Sequence, residues 1–134
     1  MDANERHVRD YLDAIGSGDH GKAFDAFAED ATWQTPPSLP WPARFEGRRA
    51  IFDEYFAVDK GLFKTGMEEY DLECTHFVSA GDSVVVEMTH RSQGLNDKAY
   101  ETDHCLVFEV RDGKIQAVRE YIDSLYLQQK MINC

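Results

Sequence analysis

Cysteine is scarce in this chain. Three residues of 134, Cys74, Cys105 and Cys134, form an odd set with no C-x-x-C spacing, which argues against a zinc ribbon, a redox dithiol or a disulfide framework and for idle or buried thiols in a reducing compartment. Long apolar runs are missing as well: no stretch of about 18 hydrophobic residues is present to span a bilayer, and the N-terminal stretch is charged from Asp2 onward. We therefore expect a soluble, cytoplasmic protein without a membrane partner. Basic residues are outnumbered, 14 Lys and Arg against 25 Asp and Glu, for a net charge of −11. Such a field repels phosphate backbones and excludes nucleic acid as the expected partner. The densest basic group, Arg44, Arg48 and Arg49, reads as a solvated helix start. Neither a G-x-G-x-x-G, a Walker-type loop nor a G-x-S-x-G occurs, and the five histidines, at 7, 20, 76, 90 and 104, show no H-E-x-x-H spacing. The expectation is a protein with no cofactor and no metal.

Apolar residues make up 43% of the chain and aromatics 12%, enough to offset the entropy of folding and to exclude global disorder. The length suits one domain, residues 1–134, rather than two. Val8, Tyr11, Leu12 and Ile15 recur at helical spacing until Gly16, Ser17 and Gly18 stop the pattern. Asp19 is placed to cap a second helix presenting Ala23, Phe24, Phe27 and Ala28, and Ala31 to Thr35 reads as a short strand. Residues 36–47 form an ordered loop with prolines at 36, 37, 40 and 42 and with Trp41. A third helix starts near Gly47 and presents Ile51, Phe52, Tyr55 and Phe56. From Met67 onward the chain turns strand-like, over Met67 to Ser79, Ser83 to Ser92, Ala99 to Arg111 and Lys114 to Leu125. Helices first and strands after argue for an α+β fold, three helices packed across one face of an antiparallel sheet.

The string Val110-Arg111-Asp112-Gly113-Lys114 suits a three-residue loop closed by Gly as a bulge, which pairs Val110 with Lys114. That register sets His104 opposite Glu120, Leu106 opposite Val118 and Thr102 opposite Ile122 on one face, with Phe108 and Val110 beside them. A two-residue Asp-Gly turn instead shifts the register by one and separates the pair. A histidine and a carboxylate among apolar neighbours are costly to bury unless paired, and a paired set can move a proton near neutral pH. Burial raises the carboxyl's pKa while a protonated histidine lowers it. Tyr11, on the apolar face of the first helix, is a candidate donor to a substrate oxygen. Glu87 and Thr89 alternate with Val86, Met88 and His90, and the run Val84-Val85-Val86 leaves open which set faces inward. Trp33, Thr35 and Trp41 offer walls for a mostly apolar ligand.

The strings FAEDATWQTP at 27–36, FEGRRAI at 45–51, VVVEMTH at 84–90 and VFEVRDGKIQAVREYID at 107–123 resemble the SnoaL-like branch of the nuclear transport factor 2-like superfamily, with ketosteroid isomerase and limonene-epoxide hydrolase as relatives. The resemblance implies a cone-shaped, curved antiparallel or mixed sheet wrapped around three N-terminal helices, and a homodimer through the sheet. It implies that Tyr11 stands where the isomerase keeps an oxyanion-hole tyrosine, His104 where it keeps a neutral Asp, and Thr35 where it keeps its base. Against the epoxide hydrolase, Glu120 matches the water-activating Asp, Trp33 and Thr35 its Tyr and Asn, and Glu87 and Thr89 its middle-strand Arg and Asp. Arg119-Glu120-Tyr121 is similar to the R-E-aromatic motif of phenazine-biosynthesis relatives.

The expected function is cofactor-independent isomerisation, cyclisation, hydration or dehydration of a small, mostly apolar metabolite in natural-product biosynthesis. Glu120 would be the acid or base, His104 its orienting partner and Tyr11 the holder of the substrate oxygen. Trp33, Thr35, Trp41, Phe56, Glu87, Thr89, Thr102 and Ile122 would contact the substrate, and Glu120→Gln would abolish turnover with little change in melting temperature. The alternatives are a non-catalytic binding or assembly module and an epoxide hydrolase with a rebuilt site. The segment 128–134 would cover the pocket or a partner.

Overall fold

The computed structural model describes residues 1–64 and 71–133. Helix α1 (Ala3–Ser17) starts where the Asp2 carboxylate accepts the Glu5 N–H at 2.7 Å and ends where Gly18 turns left-handed at φ 78°, a conformation that favours glycine. Its inward stripe is the expected one, Val8, Tyr11, Leu12 and Ile15, all buried. Helix α2 (His20–Asp25) is capped by Asp19, which accepts the Lys22 N–H at 3.1 Å.

The chain then departs from the expected pattern. Phe27 and Ala28 belong to strand β1 (Phe27–Gln34) rather than to α2, because Phe27 pairs alongside Ile115 and buries its ring from the sheet. A short strand β2 (Arg44–Glu46) ends the Pro-rich loop and pairs antiparallel with β1. The third helix runs as α3 (Arg48–Ala50), a π-turn π1 (Ile51–Tyr55) and α4 (Phe56–Leu62). Strands β3 (Asp71–Ala80), β4 (Ser83–Gln93), β5 (Ala99–Arg111) and β6 (Lys114–Ile122) follow. The expected start of the third strand, 67–70, lies outside the described residues. The last strand stops at Ile122, not Leu125, because the Asp123 carboxylate accepts the Tyr126 N–H and starts helix α5 (Ser124–Leu127), continued by π2 (Gln128–Ile132).

The six strands form one curved, unclosed sheet in the order β2-β1-β6-β5-β4-β3. It is mixed, since β1 runs parallel to β6 while every other pair is antiparallel. Helix α1 lies across its inner face, on a core that includes Phe27, Val84, Val86, Phe108 and Val118. A second cluster, Leu39, Phe63, Tyr100, Leu127 and Met131, is closed by the C-terminal helix.

The β5–β6 hairpin corrects the expected register twice. Asp112 and Gly113 both have positive φ, 54° and 70°, which makes the turn a two-residue one pairing Arg111 with Lys114. Gln116 then bulges out of β6, so the ladder passes from Val110–Ile115 to Glu109–Ala117. The two single-residue offsets restore the inward parity. His104 faces Ile122 and Leu106 faces Glu120, which makes His104 and Glu120 diagonal neighbours on the inner face rather than direct ones.

Candidate functional site

Glu120 and His104 are each 7% exposed, and His104 Nδ1 lies 3.2 Å from Glu120 Oε2. The other carboxylate oxygen, Oε1, accepts the Trp33 indole N–H at 3.1 Å and the Tyr55 hydroxyl. β1 presents Trp33, the π-turn presents Tyr55, and the two rings stack with centroids 4.5 Å apart. Burial pushes the Glu120 carboxyl up, but the His104 contact, followed by the Tyr55 and Trp33 hydrogen bonds, outweighs it and holds the carboxyl below its usual range. An ionised carboxylate facing Nδ1 favours the tautomer that carries its proton there. Nε2, on the opposite side of the ring, is then left with a lone pair, and it is buried without a hydrogen-bond partner among the described residues.

Two cavities meet at this pair. The larger includes Thr35, Trp41, Asp59, Tyr100, Ile122 and Leu127 in its wall, with His104 and Glu120 at one end. The smaller lies on the α1 side and includes Tyr11, Trp33, Phe56 and Met88 as well as the pair. Among the described residues, Thr35 Oγ1, Trp41 Nε1 and His104 Nε2 are buried polar atoms in the wall of the larger cavity without a hydrogen-bond partner. Buried polar groups are normally satisfied. Together these three offer an N–H donor, a hydroxyl that donates or accepts, and an imidazole nitrogen.

Trp33, Thr35, Trp41, Phe56 and Ile122 therefore sit at the cavity walls, and Tyr11 borders the smaller cavity, its phenol kept protonated by burial and then by the Glu120 charge. Thr102 lies on the inner parity beside His90 across the ladder, half-buried and outside the lining of both cavities. Glu87 and Thr89 do not reach either cavity. They point outward, Glu87 towards His76 at 3.4 Å and Thr89 to Asp103 at 2.8 Å, because Val84, Val86, Met88 and His90 form the inward set of β4. Cys74 and Cys105 are free and half-buried, and burial pushes both thiols up; Cys134 lies outside the described residues.

Sequence reasoning passed over Tyr55, Asp59, His90 and Tyr100 as site residues. Tyr55 stood in an apolar stripe and read as core, yet Asp59 follows it at i+4, the spacing that sets two polar groups on one helix face. His90 packs edge-on to the His104 ring, centroids 5.4 Å apart. Burial first and the neighbouring His104, which competes for the same proton, second push its pKa down to about 3, so it stays neutral at ordinary pH. Leu127 in the wall and Met131 in the cluster behind it place the C-terminal helix over the larger cavity.

A curved sheet holding helices on its inner face, with a cavity between them, is the nuclear transport factor 2-like fold. Within that fold the chain belongs to the SnoaL-like domain family, whose profile matches residues 8–118. Among solved structures it is similar to an NTF2-like protein of unknown function from Burkholderia pseudomallei, with 19% identity over 98% of both chains and a TM-score of 0.85. TerC, co-crystallised with polyporic acid, is 18% identical over 99% of this chain and 100% of that one, with a TM-score of 0.85. A protein of ketosteroid isomerase-like fold from Catenulispora acidiphila, in complex with trimethylamine, is 16% identical over 93% and 91% of the two chains, with a TM-score of 0.75. At such identities the likeness establishes the fold alone. Among the described residues no helix is long and apolar enough to cross a membrane.

Proposed function

We propose that the larger cavity binds a small metabolite and carries out acid–base chemistry on it without a cofactor, with His104 Nε2 as the proton acceptor and donor. The observation that carries this reading is the set of buried, unpartnered polar atoms in one wall, Thr35 Oγ1, Trp41 Nε1 and His104 Nε2. Trp41 N–H and the Thr35 hydroxyl would hold a carbonyl or enol oxygen. His104 would take a proton from the neighbouring carbon or hydroxyl, and the imidazolium so formed would be stabilised by the Glu120 carboxylate. Returning that proton to another carbon gives isomerisation, and giving it to a departing hydroxyl gives dehydration. This reverses the roles expected from sequence. Glu120, already accepting from Trp33 and Tyr55 and facing His104, is better suited to position the imidazole than to carry the proton. The two ligand complexes among the relatives, an acid in TerC and an amine in the Catenulispora protein, support small-molecule binding and leave the charge of the guest to the wall residues.

The test is incubation of wild type and His104→Gln with metabolite extracts, following peaks that change mass or only retention time. Conversion by wild type and not by the variant supports the assignment, and the mass change separates isomerisation from loss or gain of water. A compound retained unchanged and equally by both proteins moves the function to a binding module. Full conversion by His104→Gln sinks the role given to His104.

A further inference from the structure

The wall of the larger cavity is one-sided in charge. It contains two carboxylates, Asp59 and Glu120, and the rings of Trp41, Tyr55, Phe63 and Tyr100, and among the described residues no lysine or arginine lines it. Its second histidine, His90, is held neutral above all by burial, and so adds no positive charge. Glu120 lies at the His104 end of the wall, where it accepts from Trp33 and Tyr55. Asp59 stands one helical turn beyond Tyr55, in the aromatic part of the wall, where Phe63 and Tyr100 pack with centroids 5.0 Å apart. A carboxylate or phosphate guest would be desolvated against two acidic side chains with no lysine or arginine in the described wall to receive it. An ammonium group would meet the negative faces of aromatic rings and a carboxylate, the combination by which proteins recognise alkylated amines. The net charge of −11 biases the long-range field the same way.

We propose that this cavity is selective for a cation: its ligand carries a protonated amine or alkylammonium group, seated between Asp59 and the rings of Trp41, Phe63 and Tyr100, with its oxygen at the Thr35 and His104 end. The proposal deepens the acid–base reading by naming the charge class of the substrate, and it is tested by binding alone, so the two can fail separately.

The probes are choline, its neutral carbon isostere 3,3-dimethylbutan-1-ol, and the anion 3,3-dimethylbutanoate, titrated by calorimetry. Choline is expected to bind wild type about tenfold tighter than the alcohol, with the anion weakest. In Asp59→Asn the choline and alcohol affinities should converge to within about twofold, whereas Asp59→Glu keeps the preference. Equal affinities in wild type, tighter binding of the anion, a preference that survives Asp59→Asn, or no choline binding up to about 50 mM overturns the cation site. If Asp59→Asn does not fold, the three-probe comparison on wild type still decides. A choline preference retained in both wild type and His104→Gln, while wild type converts nothing in an extract, upholds the cation site and removes only the acid–base reading.

Discussion

Two histidine–glutamate pairs occupy opposite faces of one sheet. His104 and Glu120 meet at 3.2 Å on the inner face and are each 7% exposed, while His76 and Glu87 meet at 3.4 Å on the outer face and are 72% and 63% exposed. The separations are nearly equal and the surroundings are not. In water two charges about 4 Å apart attract by about 1 kcal/mol, and at the lower effective dielectric of a protein site by about 4 kcal/mol. Inside, Trp33 and Tyr55 also hold the carboxylate, so one tautomer of His104 is favoured; outside, salt and water screen the pair. Proximity of the two residue types is therefore not what distinguishes the inner pair from the outer one. Desolvation and the donors behind the carboxylate do.

Deleting Gln116 and Ala117 together should exchange the two environments and have the largest effect. Gln116 alone is the extra residue of the bulge, and its loss would leave Glu109 to Leu106 facing the same partners; with both gone the two-residue turn would set Glu120 opposite Val107, on the outer parity, and Val118 would leave the core with it. The expected outcome of the double deletion is loss of cooperative unfolding and of near-UV circular dichroism. A double-deletion variant that keeps the wild-type melting curve would show that the spacing from the turn does not set the register.

Next comes the inner pair itself. His104→Gln should lower turnover by about 10²–10⁴-fold. Glu120→Gln should lower it as well, and it should also cost about 1–3 kcal/mol of stability, since an amide cannot accept from three donors as a carboxylate does. That loss of stability, measured by urea denaturation, differs from the small change expected when only the sequence was considered.

The inner face also makes a pH signature. His90 binds its proton near pH 3 when folded and near 6.5 when unfolded, so between these values the unfolded state holds more protons. Stability should therefore fall as pH drops below about 6.5, by up to about 1.4 kcal/mol per pH unit. The depressed Glu120 carboxyl acts in the same direction at lower pH: its contribution is present above the unfolded value of 4.5 and is lost as pH falls through the folded one. Urea midpoints at pH 7, 6 and 5 should fall in wild type and stay nearly level in His90→Asn. An equal slope in that variant would rule out His90 as the cause.

The outer pair should yield the smallest effect. His76→Ala and Glu87→Ala should leave turnover unchanged and move the melting temperature by less than about 3 °C. A loss of activity in either would place the chemistry on the wrong face.

Much of the fold was legible because it rests on local signals. The α1 stripe, the Asp19 cap and the β5 limits of Ala99 and Arg111 follow from spacing and turn residues. Phe27 misled because positions 24, 27 and 28 fit a helical face as well as a strand start, and only pairing with β6 separates the two. The site was half legible. His104 and Glu120 were expected together, although by a register that does not occur, and Glu87 with Thr89 were candidates only because three successive valines hide the parity of β4. Tyr55 and Asp59 left no signal beyond their spacing.

What the sequence by itself determined is the α+β order, the acidic field and the kinds of groups available for proton transfer, because composition and periodicity are properties of neighbouring residues. The tertiary structure alone decided which face His104 and Glu120 share, since a turn and a bulge each shift the register by one and only their sum restores the parity. It decided too that Trp33, Tyr55 and His104, from β1, the helical segment and β5, converge on one carboxylate, a meeting of residues up to 87 positions apart that no local pattern encodes.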